Sequence, residues 1–151
     1  MPLVSALPQL LKAQAEGYAV PCFDTFEMLG TEGMFAALED KRAPAIVALY
    51  AHTVDNPNAK AFAAFIRTMA ERATVPVAFM LDHGGSLEQC AKALCYGLTD
   101  VMYDGSKLPL EENIANTRLV VRMAHAMGAA VEAELGHVGS GRDYTSFEAQ
   151  R

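Results

Sequence analysis

The sequence predicts an α/β fold built on a parallel sheet, and three observations carry that prediction. Short apolar runs alternate with helical stretches along the chain, the runs are continuously apolar, and four of the five end in an ionisable residue. Strand-helix alternation implies parallel strands, because a parallel neighbour is reached only through a crossover, usually a helix. Strands covered on both faces by such helices read as unbroken apolar runs.

The elements follow in order. Leu3 to Ala15 carries Leu7, Leu10 and Leu11 at helical spacing, with Gly17 as a stop. Ala19 to Asp24 is a short strand, followed by a helix from about Phe26 to Lys41. Ala45 to Tyr50 is a buried strand ahead of a helix from about Asn58 to Ala73. Val77 to Asp82 precedes a helix from Ser86 to Tyr96, with Ser86 as its N-cap. Thr99 to Asp104 precedes a helix from Leu110 to Met127, and Ala129 to Glu134 is the fifth strand.

Periodicity alone fits an open doubly wound sheet or a closed barrel. The strand ends favour the barrel, because Asp24, Asp82 with His83, Asp104 and Glu134 would converge on one mouth, where such barrels assemble their sites. The expected architecture is a TIM (β/α)8 barrel of which this chain holds the first five βα units, residues 1–151 being the N-terminal portion of a single domain. A full barrel takes eight units and about 250 residues, so three units are expected beyond Arg151.

Composition narrows the function classes. At 151 residues, 52% hydrophobic and 20% charged, the chain can bury a core. No apolar run approaches the roughly 20 residues of a membrane span, and the start lacks the pattern of a signal peptide, so no membrane partner and a cytoplasmic location are expected. A net charge of −6 without a Lys/Arg cluster offers nucleic-acid phosphates no footprint. The three cysteines, Cys22, Cys90 and Cys95, form no CxxC pair and read as reduced; Cys90 and Cys95 are expected to pack between helix and barrel.

Leu81-Asp82-His83-Gly84-Gly85-Ser86 places an acid and an imidazole where a buried strand gives way to a helix. Neutral imidazole is a good zinc ligand, and an adjacent carboxylate can move a proton at a carbon acidified through a metal-polarised carbonyl. The glycines would let a ligand approach the backbone. On spacing alone, a role in capping the loop fits equally well.

The hexapeptide is joined, in order, by Val101-Met102-Tyr103-Asp104-Gly105-Ser106, by Leu108 to Ile114, and by Val131-Glu132-Ala133-Glu134-Leu135-Gly136. With these motifs the chain resembles the class II, metal-dependent ketose-bisphosphate aldolases of the fructose- and tagatose-bisphosphate type. The resemblance implies aldol cleavage of a ketose 1,6-bisphosphate to dihydroxyacetone phosphate and an aldehyde, with zinc as the default ion and other divalent metals possible. It makes His83 a zinc ligand, Asp82 the acid/base at the C4 hydroxyl, and Asp104 and Glu134 secondary or alternative ligands. Glu132 faces the same side as Glu134 by the period of two. Two further zinc histidines and the phosphate loop are expected beyond Arg151. His83 as the sole histidine ligand would hold zinc weakly, because catalytic zinc usually has three protein ligands. A homo-oligomer, dimer or tetramer, is the expected assembly. A metal-dependent sugar isomerase, or a non-catalytic half-barrel binding sugar phosphate or a second chain, are the alternatives.

Three positions depart from the family pattern. Asp24 stands where an asparagine that orients substrate is common, Tyr50-Ala51-His52 stands where a serine is usual, and Gly139 to Asp143 replaces a loop of two glycines followed by acids. Asp24 and His52 are therefore substrate-binding candidates, and Asp143 is the nearest candidate for the loop acid. His125 is expected to be a partly buried structural residue, His52 to lie in a polar loop, and His137 to sit in a mobile loop on the mouth edge. Glu111 and Glu112 suit the positive end of a helix dipole.

Overall fold

The computed structural model describes residues 2–136. Its elements are α1 (Ala6–Glu16), β1 (Cys22–Asp24), α2 (Met28–Lys41), β2 (Ala45–Tyr50), α3 (Ala51–Val54), α4 (Ala59–Arg72), β3 (Val77–Gly84), α5 (Leu87–Cys95), β4 (Asp100–Tyr103), α6 (Leu110–Ala126) and β5 (Ala130–Ala133). The five strands form one sheet in the order β1-β2-β3-β4-β5, every neighbouring pair parallel. No helix among the described residues is long and apolar enough to cross a membrane.

Strand alternation sorts the side chains into two layers. Val47, Leu49, Val77, Phe79, Leu81, Val101 and Tyr103 pack outward with Phe35, Ile66, Leu94 and Val120 of the helices. Ile46, Ala78, Met80 and Met102 point inward and meet Ala6 of α1. That inner set is the barrel interior, and α1 covers it at the end where the strands begin. The N-terminal segment fixes this position: Val77 N–H donates to Pro2 O at 2.8 Å and Val4 N–H to Val77 O at 2.9 Å.

A buried acid locks α1 in place. Asp100 is 2% exposed and accepts from Ser5 Oγ at 2.5 Å, Ala6 N at 2.9 Å and Thr99 Oγ1 at 2.6 Å. A buried carboxylate is tolerated only when so satisfied. One of its partners, Ala6 N–H, is a helix donor with no intrahelical acceptor, so one side chain solves both problems.

Most sequence expectations survive with shortened ends. Gly17 stops α1 in the left-handed conformation, φ 74°, which glycine adopts without a Cβ penalty. Ser86 caps α5 by accepting from Gln89 N. Glu111 and Glu112 lie in the first turn of α6. Strand β1 is only three residues long and exposed, because among the described residues it has one strand neighbour. The polar segment after β2 is not wholly loop: Ala51–Val54 forms the short helix α3, with His52 exposed on it. Cys90 is buried as expected, but Cys95 is exposed in the last turn of α5. His125 is exposed at the end of α6 rather than partly buried.

Candidate active site

Five strand-end acids and one imidazole meet at the C-terminal edge of the sheet. By alternation Asp82 follows Met80 to the inner face, and His83 should then turn outward into the helix layer. It does not, because the β3–β4 register shifts between Leu81 and Gly84 and His83 takes φ +51°. A left-handed non-glycine residue costs of order 1–3 kcal/mol and persists only where its surroundings impose it. Gly84 imposes it: a Cβ there would lie 2.6 Å from Leu81 Cδ2 and 2.8 Å from Met102 O, and Asp104 N–H donates to Gly84 O at 2.8 Å. The expectation that this glycine lets a ligand approach is thus corrected, since Gly84 is buried against β4.

Turned this way, His83 Nδ1 stands 3.0 Å from Asp104 Oδ2 and 3.5 Å from Glu134 Oε2. One nitrogen and two carboxylate oxygens offer a ligand set, all within 4.8 Å of one another. In a tetrahedral zinc site with bonds of about 2.0–2.1 Å the donors stand roughly 3.4 Å apart, so the spacing suits a divalent ion. Each arm is held by its own support. Asp104 Oδ1 accepts Ser106 N–H at 3.0 Å; the Ser106 hydroxyl has no partner of good geometry. Asn113 Nδ2 donates to Glu134 O at 2.9 Å, while its Oδ1 accepts from Thr117 Oγ1 at 3.1 Å. Gly105 leaves no room for a side chain because Asn113 fills that space.

The charges follow from these contacts. Burial works against an ionised Asp104, but hydrogen bonds from Ser106 and His83 outweigh it and hold the carboxyl down at about 2. Burial lowers His83, yet its bond to Asp104 and the charges of Asp82, Asp104 and Glu134 leave it raised. Asp82 is raised, chiefly by burial, against His83 and with Glu132 and Glu134 adding to it. Asp24 is raised by burial first and by Asp82 next; the two carboxyls lie within hydrogen-bonding reach. Cys22 is exposed as a residue, but burial of its sulfur and then Asp82, Asp24 and Glu132 push the thiol up to about 11, which leaves it un-ionised at neutral pH.

Aromatic rings form the side of the mouth at β1 and β2. Tyr50 pairs in register with Asp82, and its ring centroid lies 5.9 Å from that of His83 and 5.3 Å from that of His52. Phe26 stacks on His52 at 6.3 Å.

Comparison with known proteins agrees with this geometry. Residues 4–150 match the family model "Fructose-bisphosphate aldolase class-II". The chain belongs to that family. It is 42% identical over 146 residues to a probable fructose-bisphosphate aldolase of Bacillus subtilis, covering 95% of this chain and 51% of the relative. It is 40% identical to a fructose-bisphosphate aldolase of Thermus caldophilus, covering 97% and 48%. The crystal structure of the YdjI aldolase of Escherichia coli K12 superposes with a TM-score of 0.85 at 33% identity, over 89% of this chain and 52% of that one. This aldolase-family chain therefore spans about half the length of the curated relatives it matches, and its five parallel βα units correspond to part of their TIM barrel.

Within the family frame, the structure brings together His83, Asp104 and Glu134, and sets Asp82 and Asp24 beside them. His52 lies on the rim against Phe26 and Tyr50. Asp143 and His137 lie outside the described residues. The supporting role of Asn113 escaped sequence reasoning; its signal was its place in the Leu108 to Ile114 motif, where a buried polar residue stands out on the helix.

Proposed function

We propose that this chain supplies the first half of a metal-dependent aldolase site that cleaves a ketose 1-phosphate, whether or not its far end is also phosphorylated, into dihydroxyacetone phosphate and an aldehyde. The convergence of two carboxylates on His83 Nδ1, beside Asp82, carries the reading. His83, Asp104 and Glu134 would hold the ion, with zinc first and other divalent ions accommodated by the carboxylates. When bound there, the ion supplies Lewis acidity to the ketose carbonyl.

Asp82 is the acid/base. In cleavage its carboxylate takes the proton of the C4 hydroxyl, the C3–C4 bond breaks, and C4 leaves as the aldehyde carbonyl while the electron pair remains on the C3 side. Burial raises Asp82 above its ordinary value, the direction that makes a carboxylate a stronger base. Asp24, in hydrogen-bond reach of Asp82, orients that carboxyl and the substrate hydroxyls. Asp143 stands as the acid that would return a proton to C3. The domain assignment, a cytoplasmic location and a homo-oligomer belong to the same proposal; for the first, relatives about twice as long support activity that needs βα units beyond the five described.

The test uses the active assembly containing this chain. Asp82→Ala should lower aldol cleavage by about 100-fold or more with metal content unchanged, whereas His83→Ala should remove metal and activity together. Near-normal turnover in the Asp82 variant would refute its role as the proton carrier.

A further inference from the structure

We propose that Phe26, Tyr50 and His52 form a specificity wall that receives the carbon chain of the substrate's aldehyde half and favours an uncharged end over a phosphorylated one. The inference rests on the aldolase reading and narrows its substrate class.

The first argument is position. Tyr50 is the last residue of β2 and pairs with Asp82 of β3, so its ring stands on the inner face next to the acid that handles the C4 hydroxyl. The candidate metal ligands lie on the other side of Asp82, at the ends of β3, β4 and β5. A ketose whose carbonyl faces those ligands and whose C4 hydroxyl faces Asp82 must send C5 and C6 toward β2 and β1. There it meets Tyr50, then His52 and Phe26.

The second argument is exposure. Tyr50 is 39% and Phe26 61% exposed, and the three rings contact one another at 5.3 and 6.3 Å. The neighbouring inward residues Ile46, Ala78 and Met80 are buried, so the sheet has an apolar core and these rings are not part of it. Connected aromatic faces open at the rim of a polar mouth are surfaces for the C–H faces of a ligand, with few polar groups fixing its orientation.

The third argument is charge. Among the described residues, the charged groups that act on Asp24 and Asp82 are carboxylates and the imidazoles of His52 and His83. Asp24 closes the wall at the end of β1. A phosphate dianion arriving on this side of the mouth meets the carboxyls of Asp24 and Asp82, so the wall disfavours the charged end while attracting the neutral one.

The experiment titrates fructose 1-phosphate and fructose 1,6-bisphosphate into the full chain in the presence of zinc, with sugar proton shifts and affinities read by NMR. The 1-phosphate should bind about threefold or more tightly than the bisphosphate, and its C5 and C6 protons should move upfield by ring currents. Tyr50→Ser should weaken 1-phosphate binding by roughly 3- to 10-fold and abolish those shifts, the scale of one aromatic contact; Tyr50→Phe should preserve both. Tighter bisphosphate binding, a Tyr50→Ser variant with unchanged preference, or no binding of either sugar overturns the wall. The two readings separate cleanly: sugar binding with intact ring shifts but no dependence on zinc or His83 sinks the aldolase reading alone, and zinc-dependent binding without ring shifts sinks the wall alone.

Discussion

Replacing Asn113 by Ala should loosen both the fold and the candidate metal centre. The side chain is 7% exposed and makes two hydrogen bonds, to Glu134 O at 2.9 Å and from Thr117 Oγ1 at 3.1 Å. At roughly 1 kcal/mol each, with about 1 kcal/mol more for the carbonyl left without a donor, the loss comes to about 2–3 kcal/mol. In urea, with a slope of about 2 kcal/mol/M, the midpoint should fall by roughly 1–1.5 M at unchanged slope. The functional consequence is separate. Asn113 fixes the backbone that presents Glu134, so zinc affinity measured by calorimetry should drop roughly 10- to 100-fold, the scale for losing a group that orients a ligand. Asn113→Asp keeps the acceptor for Thr117 but removes the donor to Glu134 and buries a carboxylate against that carbonyl, so it should reproduce the metal effect with a stability loss at least as large. A destabilised Asn113→Ala chain with unchanged zinc affinity would refute the positioning role; an unchanged midpoint would refute the hydrogen bonds themselves.

Two further outcomes follow from the same geometry. Asp100→Ala removes three hydrogen bonds to a buried carboxylate; offset by the relieved burial of charge, the loss should be about 3 kcal/mol, with α1 amides losing hydrogen-exchange protection first, and protection like the wild type would contradict the lock. The pH dependence has a sign. Asp104 is held at about 2, below its ordinary 3.8, so its stabilising contribution in the metal-free chain is fully present above pH about 4 and is lost as pH falls toward 2. His83 is raised, so its share is fully present below its ordinary 6.5 and is lost as pH rises through the raised value. The stability difference between wild type and Asp104→Asn, followed across pH, should therefore peak between about 4 and 6.5, and a flat difference would disprove the coupling.

How much of this was legible in the sequence depends on the range of the interaction. Local signals read well: the Ala45 to Tyr50 strand, the Gly17 stop and the Ser86 cap each depend on a few adjacent residues. The shared edge of Asp24, Asp82, Asp104 and Glu134 was legible too, because parallel strands must end on one side. The direction of His83 was not, since the period of two sends it into the helix layer and only the Leu81/Gly84 register shift and a φ of +51° reverse that. Nor was the Ser5–Asp100 contact, made across 95 residues, because an acid opening a strand reads from sequence as exposed. His125 and Cys95 were misjudged for a related reason: an apolar helix has a solvent side, and periodicity is weak where Ala and Met populate both faces.

The central claim is that His83, Asp104 and Glu134 form one metal site, and cobalt titration of the chain tests it most directly through the visible bands of a bound ion. The account predicts saturable uptake of one ion per chain in the wild type, uptake lost in His83→Ala and weakened in both Asp104→Asn and Glu134→Gln. Uptake that is absent from the wild type, or that persists undiminished in all three variants, would contradict it.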